Sequence, residues 1–225
     1  MPVQLSWPEL PKFVETRRGS KSGIFLPQRA HPGDAGHDVR VYIESPPSRD
    51  EVEQLCQTLL DHLEDPLYWQ KHMPTLDRKP VVRLEKDLPT RETLAEDLER
   101  LQQELQKPAV ILEPGEAVVL PAGFAVALPQ LPPPLAAVMK IVGRSGWAGK
   151  DRLCVTNSPG IIDCGYRDEV KIALENRSHS VQIIRSESRV GQALFELCLS
   201  FDPAEHVVDK LDPPSRGGFG STDVR

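Results

Sequence analysis

The stretch "AVILEPGEAVVLPAGFAVALP", Ala109 to Pro129, decides the fold class. Its apolar runs are short, rich in Val and Ala, and broken by Pro-Gly and Ala-Gly turn signals, so each is too brief for a helix and suited to a strand. The same texture extends outward on both sides. "VRVYI" lies within Ile24 to Glu44, and "AAVMKIV", "EVKIALEN", "VQIIR" and "QALFELCL" follow before Phe201. Strands of about 4 to 7 residues at this spacing predict an all-β antiparallel sandwich or jelly roll.

Between the two β-rich stretches, Ser45 to Pro108 changes period. "SRDEVEQLCQTLLDHL" opens with Ser48 and places Glu51 three residues on, a capping box, ahead of Val52, Leu55, Cys56, Leu59 and Leu63 on one helical face. "TRETLAEDLERLQQELQ" sets Leu94, Leu98, Leu101 and Leu105 at steps of four, three and four. Two amphipathic helices joined by a Pro-containing segment are expected, interrupting the β domain. They either pack on each other and the sheet or form a docking surface for a subunit or partner. The expected organisation is an N-terminal extension (1–22), a β domain (23–44 and 109–205), an α-helical hairpin insertion (45–108) and a C-terminal arm (206–225).

Composition bounds the function. With 225 residues, 39% of them hydrophobic and 27% charged, the chain can form one substantial core or two modest ones. A net charge of −6 argues against a nucleic-acid groove. No run approaches the ~20 apolar residues of a membrane span, and no export signal is evident, so a cytoplasmic location is expected. The four cysteines lack C-x-x-C spacing and are expected to be reduced thiols.

Three segments carry candidate chemistry. "IVGRSGWAGK" follows a strand and offers glycine-freed amides, the Ser145 hydroxyl and the Arg144 guanidinium, a set suited to polyphosphate and equally to a surface turn. In "SPGIIDCGYRDEV", Asp163 follows two isoleucines on a rigid element and Tyr166 lies three residues on, a carboxylate placed to act as base and a ring able to lie against a sugar. Turn formation alone would also account for Asp163 and Asp168. Asp38, after Gly33 and Gly36, has the same two readings, and Gln192 either faces ligand or bonds within the core.

In this order the segments resemble the motifs of the trimeric dUTPases. "DAGHDV" resembles A-G-Y-D-L, "GRSGWAGK" resembles R-S-G/S-L-A, and "GIIDCGYRDEV" resembles G-V-I-D-x-D-Y-R-G-E/N. "SRVGQALF" resembles R-I-A-Q-L-x-F, and "RGGFGST" resembles the C-terminal R-G-x-G-G-F-G-S-T-G. The resemblance implies a jelly-roll homotrimer that hydrolyses dUTP to dUMP and diphosphate with Mg²⁺, at sites shared between subunits. It assigns Asp163 to the attacking water and the sugar, Tyr166 to the deoxyribose face, and Asn157 with Gly160, Ile161 and Ile162 to the uracil. Arg144, Ser145, Gly146 and Gln192 would hold the phosphates, and Asp38 would reach Mg²⁺ through bound water. Arg216, Phe219, Gly220, Ser221 and Thr222 would form a C-terminal arm that orders over bound nucleotide.

The related dCTP deaminases use a Glu ten residues beyond the motif's Asp. Ala173 stands there and Glu175 is two places off, which counts against deamination. A non-catalytic module that binds a partner through the insertion is the other alternative. His37, Trp147 and Asp168 depart from the family pattern. Asp168 replaces a Gly that often serves a positive φ, so an altered hairpin is expected there. Arg216 and Phe219 are three apart where the family commonly has five.

Overall fold

A computed structural model describes residues 10–208. Strands dominate, in the order β1 (Lys12–Glu15), β2 (His37–Arg40), helix α1 (Arg49–Asp61), helix α2 (Pro66–His72), β3 (Thr75–Leu76), β4 (Lys79–Pro80) and helix α3 (Arg91–Glu104). There follow β5 (Ala109–Leu112), β6 (Ala117–Pro121), β7 (Phe124–Ala127), β8 (Leu135–Gly143), a π-helical turn (Gly146–Asp151) and β9 (Leu153–Val155). The chain closes with β10 (Gly160–Asp163), β11 (Lys171–Asn176), β12 (Gln182–Arg185) and β13 (Arg189–Leu199).

The quoted stretch becomes β5, β6 and β7, with Gly115 (φ 85°) and Gly123 (φ 78°) at the turns between them. Gly123 is needed twice over. Its φ is in the left-handed region, and a Cβ there would sit 2.4 Å from the buried Phe25 ring. The strands assemble as β10-β8-β13-β2, β6-β11-β9, β4-β3-β12-β5 and the pair β1-β7. All these pairings are antiparallel except β3 on β12. Alternate residues from these sheets, among them Val39, Phe124, Met139, Ile141, Ile172 and Leu174, fill one core. Each such side chain, fully buried, contributes about 1.5–3 kcal/mol.

The insertion departs from a helical hairpin. Besides the two expected helices it holds the short α2 and the β3–β4 hairpin, because Asp65 caps α2 through the Leu67 and Tyr68 amides and β3 adds to the edge of β12. The Ser48–Glu51 capping box forms as expected, and Leu55, Cys56 and Leu59 are buried with Leu94, Leu98 and Leu101. These pack against Ala109 and Ile111 of β5 and Val181 and Ile183 near and on β12, making a second core. Leu112 and Ile184, of opposite parity on the same strands, enter the first core. One sheet therefore serves two cores by the period-two alternation of its side chains.

Candidate functional site

β13 and β2 place Gln192 directly opposite Asp38, so the two side chains share a face of the sheet. Asp38 is buried, and its carboxylate accepts from Gln192 Nε2 at 3.3 Å. Its Oδ1 also lies 3.1 Å from Arg144 Nε, and its Oδ2 lies 3.1 Å from Arg189 Nη1. One carboxylate thus faces two guanidinium groups, which leaves local positive charge for an anion. Trp147 finds its space in the core. It is buried, and its Nε1 donates to the Arg189 carbonyl at 2.8 Å, a carbonyl that also accepts from Arg144. Ser145 and Gly146 open the π-helical turn immediately after Arg144.

The adjoining cleft has a volume of about 820 Å³ and lies between the β domain and the β3–β4 hairpin. Arg40, Arg78, Arg144, Arg185 and Arg189 line it. Arg40 donates to the Glu187 carbonyl at 2.6 Å, and burial followed by the nearby Arg189 charge lowers its pKa. A strongly cationic cleft in a protein of net charge −6 suits phosphate oxygens. Arg189 was legible in principle, three residues before Gln192 in "SRVGQALF". Arg78 carried no local signal, since it stands in a segment read only as a linker between helices.

The second group lies along β10. Asp163 is exposed at the strand's end and pairs with Val138 of β8, whereas Gly160 pairs with Ile141. Exposed Asn157 folds back over Gly160, where a Cβ would lie 3.4 Å from its Nδ2. The Tyr166 hydroxyl donates to the Glu169 carbonyl at 2.8 Å, which fixes the ring relative to Asp163 in one tight turn. Burial first, then the Asp168 and Glu169 charges, push its phenol pKa up. Asp168 has no positive φ, so the residue in place of the family's glycine carries no left-handed strain.

The fold keeps the two groups apart. Asp163 is opposite Val138 in the middle of β8, and Arg144 follows Gly143 at its end, so six residues, roughly 20 Å, separate Asp163 from Arg144. Arg144, Gln192 and Asp38 meet, and Asn157, Gly160, Ile161, Ile162, Asp163 and Tyr166 lie along β10 and its turns, and among the described residues no hydrogen bond or ion pair joins the two sets. Arg216, Phe219, Gly220, Ser221 and Thr222 lie outside the described residues. Glu175 forms an ion pair with Arg177 at 2.7 Å, and Ala173 is paired with Val119 in the β11–β6 ladder.

Family comparison matches residues 106–223, more than half of the chain, to the dUTPase family. The chain belongs to the dUTPase family. A deoxyuridine 5'-triphosphate nucleotidohydrolase of Nocardia farcinica is 41% identical over 112 residues, 49% of this chain and 64% of that protein. One from Bdellovibrio bacteriovorus is 35% identical over 138 residues, 60% of this chain and 87% of that protein. Among solved structures, a Staphylococcus bacteriophage 80alpha dUTPase with dUpNHpp shares the dUTPase fold at 16% identity and TM-score 0.53, over 94% of this chain and 97% of that one. A phage phi11 dUTPase, described with a structural Mg(II) ion, matches at TM-score 0.50 and 14% identity over 91% and 99%.

Proposed function

We propose that the protein hydrolyses dUTP to dUMP and diphosphate at sites shared between copies of the chain in a homotrimer. The observation that carries this reading is the division of the candidate residues into two groups, one cationic and one built around Asp163, with Asp163 and Arg144 set six residues apart along β8. A nucleotide held by both halves needs the phosphate set of one copy beside the Asp163 set of another. Exposed Leu135, Leu197 and Leu199, paired or adjacent on the far ends of β8 and β13, supply apolar surface suited to such an assembly.

In this reaction a water oxygen forms a bond to the α-phosphorus while the bond from that phosphorus to the bridging oxygen of diphosphate breaks. Asp163 takes the water's proton on its carboxylate, and the rigid end of β10 holds it in place. Tyr166 lies against the deoxyribose, its hydroxyl already committed to Glu169, so the ring is fixed and leaves no room for a 2′-hydroxyl. Asn157 and the main chain of Gly160 to Ile162 face the uracil. Arg144, Ser145, Gly146 and Gln192 bind the phosphates, and the arm residues Arg216 and Phe219 to Thr222 close over them.

The donor set fits magnesium in one form. Asp38 is the carboxylate held between the two arginines of the phosphate half-site, and its oxygens already accept from Arg144, Arg189 and Gln192. An ion held chiefly by the substrate's own oxygens, with Asp38 touching its water shell, suits that arrangement better than a protein cage. When bound, it offsets charge on the triphosphate.

Purified protein with Mg²⁺ should release diphosphate from dUTP, discriminate against UTP, dTTP and dCTP, and liberate no ammonia from dCTP. Asp163→Asn should lower turnover by about 10²- to 10⁴-fold. Full activity in that variant, or no diphosphate from the parent, would overturn the reading. Among the described residues no helix is long and apolar enough to cross a membrane, and a cytoplasmic enzyme supplied with dUTP from the nucleotide pool is the corresponding cellular reading.

A further inference from the structure

The insertion reaches the phosphate loop through Arg78. Asp77 (φ 45°) and Arg78 (φ 72°) form the two-residue tip of the β3–β4 hairpin, both in the left-handed region. Such a turn ordinarily takes Asn-Gly, so an arginine at its second position is strained by about 1 kcal/mol. The tip is held in spite of this because Asp77 is tied to the β domain. Its carboxylate accepts from the Arg185 amide at 3.1 Å, Arg185 Nε at 2.6 Å and Ser188 Oγ at 2.6 Å, and its own amide donates to the Ile183 carbonyl at 2.9 Å.

Arg78 then spans the π-helical turn. Its Nε donates to Asp151, the last residue of that turn, and its guanidinium lies over Gly146, the first. A Cβ on Gly146 would stand 2.7 Å from Nη1 and 2.8 Å from both Cζ and Nη2, so the contact exists only because that residue is glycine. The Trp147 ring centroid is 5.8 Å from Cζ. Asp151 engages Nε and so sets the plane of the group, with Nη1 and Nη2 over Gly146, in the cationic cleft that Arg144 also lines. Among the described residues, seven Arg and Lys side chains line that cleft against three carboxylates, an excess that a polyphosphate would neutralise.

We propose that Arg78, supplied by the insertion, is a further phosphate-binding residue of the nucleotide site, gripping the diphosphate portion of the substrate beside Arg144. This rests on the nucleotide reading for its substrate but not for its anion. It assigns the insertion a direct part in the site and adds a guanidinium to the one expected from the C-terminal arm.

The test measures binding of three probes to full-length protein by calorimetry: the non-hydrolysable α,β-imido analogue of dUTP, dUMP, and inorganic tripolyphosphate. Arg78→Ala should weaken the analogue and tripolyphosphate by about 10- to 100-fold, the loss typical of a charged hydrogen bond, and dUMP by less than about twofold. Arg78→Lys should recover part of the loss, and Asp151→Asn, which keeps the guanidinium, should weaken the analogue less than Arg78→Ala does. Unchanged analogue affinity in Arg78→Ala overturns the proposal. So does an equal loss for dUMP and analogue reproduced by Asp151→Asn, since that marks a brace for the loop alone. If the parent binds tripolyphosphate through Arg78 yet does not hydrolyse dUTP, the subsite stands and the dUTP reading falls. If the parent hydrolyses dUTP and Arg78→Ala binds all three probes normally, the subsite alone falls.

Discussion

Asn176 is wholly buried, and all four of its side-chain hydrogen bonds are made. Its Nδ2 donates to the Leu112 and Ser180 carbonyls at 2.9 and 2.8 Å, and its Oδ1 accepts from the Ser178 amide and hydroxyl at 3.0 and 2.7 Å. Asn176→Asp replaces two donors with an acceptor facing two carbonyls, and should cost about 2–4 kcal/mol in chemical denaturation. An isosteric loss below 1 kcal/mol would show that the network relaxes. Much of the candidate site's geometry was legible at this scale because its residues are local. Asp163, Tyr166 and Asn157 lie within one strand and its turns, and the backbone brings them together without help from elsewhere. Asp38 was only half legible. Its carboxylate is defined by Arg144, Arg189 and Gln192, which are more than 100 residues away in sequence, and no pattern around Asp38 names them.

Helix α3 carries a fully buried acid. Asp97 accepts from the Arg83 amide and Nε at 2.6 and 2.8 Å, and Arg100 Nη2 lies 3.0 Å away, so the carboxylate joins the helix to the segment that precedes it. Asp97→Ala leaves the Arg83 amide without its acceptor and should lower stability by about 2–4 kcal/mol, read as an earlier melting of the helical signal. The amphipathic pattern placed α1 and α3 well because their apolar faces obey the 3.6 period. It could not reveal β3 and β4. Strands of two residues have no period to detect, and the Asp77-Arg78 tip lacks the glycine that marks such a turn. Their existence depends on β12, which offers an edge to pair with.

Strand β1 is held by a different device. Burial opposes ionisation of Glu169, but hydrogen bonds from Arg17 and Thr16 outweigh it and hold the carboxyl below its ordinary value of 4.5. A depressed folded pKa contributes stability above the unfolded value and loses it as pH falls through the folded one. Glu169→Gln should therefore lower the melting temperature at pH 7, and the difference from the parent should shrink below about pH 4.5. A gap that stays constant down to pH 3 would assign the effect to packing.

At the scale of the assembly, two inactive variants should rescue each other. Asp163→Asn keeps an intact cationic half-site and Arg144→Ala keeps an intact Asp163 half-site. Refolded together in equal amounts, random trimers should recover about one quarter of parental activity, because a shared site needs one sound half from each of two copies. No recovery, with mixed trimers confirmed by mass, would mean that both halves act from one chain. Sharing between copies was expected from the family resemblance alone, since the motifs follow one another along the chain as though they met within it. The register of β10 on β8 adds that Asp163 and Arg144 are six residues apart along one strand.

The parallel pairing of β3 on β12 bears on how such a chain can change over generations. Excising the insertion would remove β3 and the helices in one step, baring the backbone edge of β12 and the apolar side of its sheet at Ala109, Ile111, Val181 and Ile183. An open edge beside an oily face invites pairing between chains, so the immediate product of the deletion would be a sticky protein and not a simpler enzyme. Substitutions on the outer faces of α1 and α3 carry no such penalty. The segment can therefore drift in sequence far more readily than it can disappear, and an addition of this kind, once fused into a sheet, becomes a near-irreversible step in the lineage that holds it.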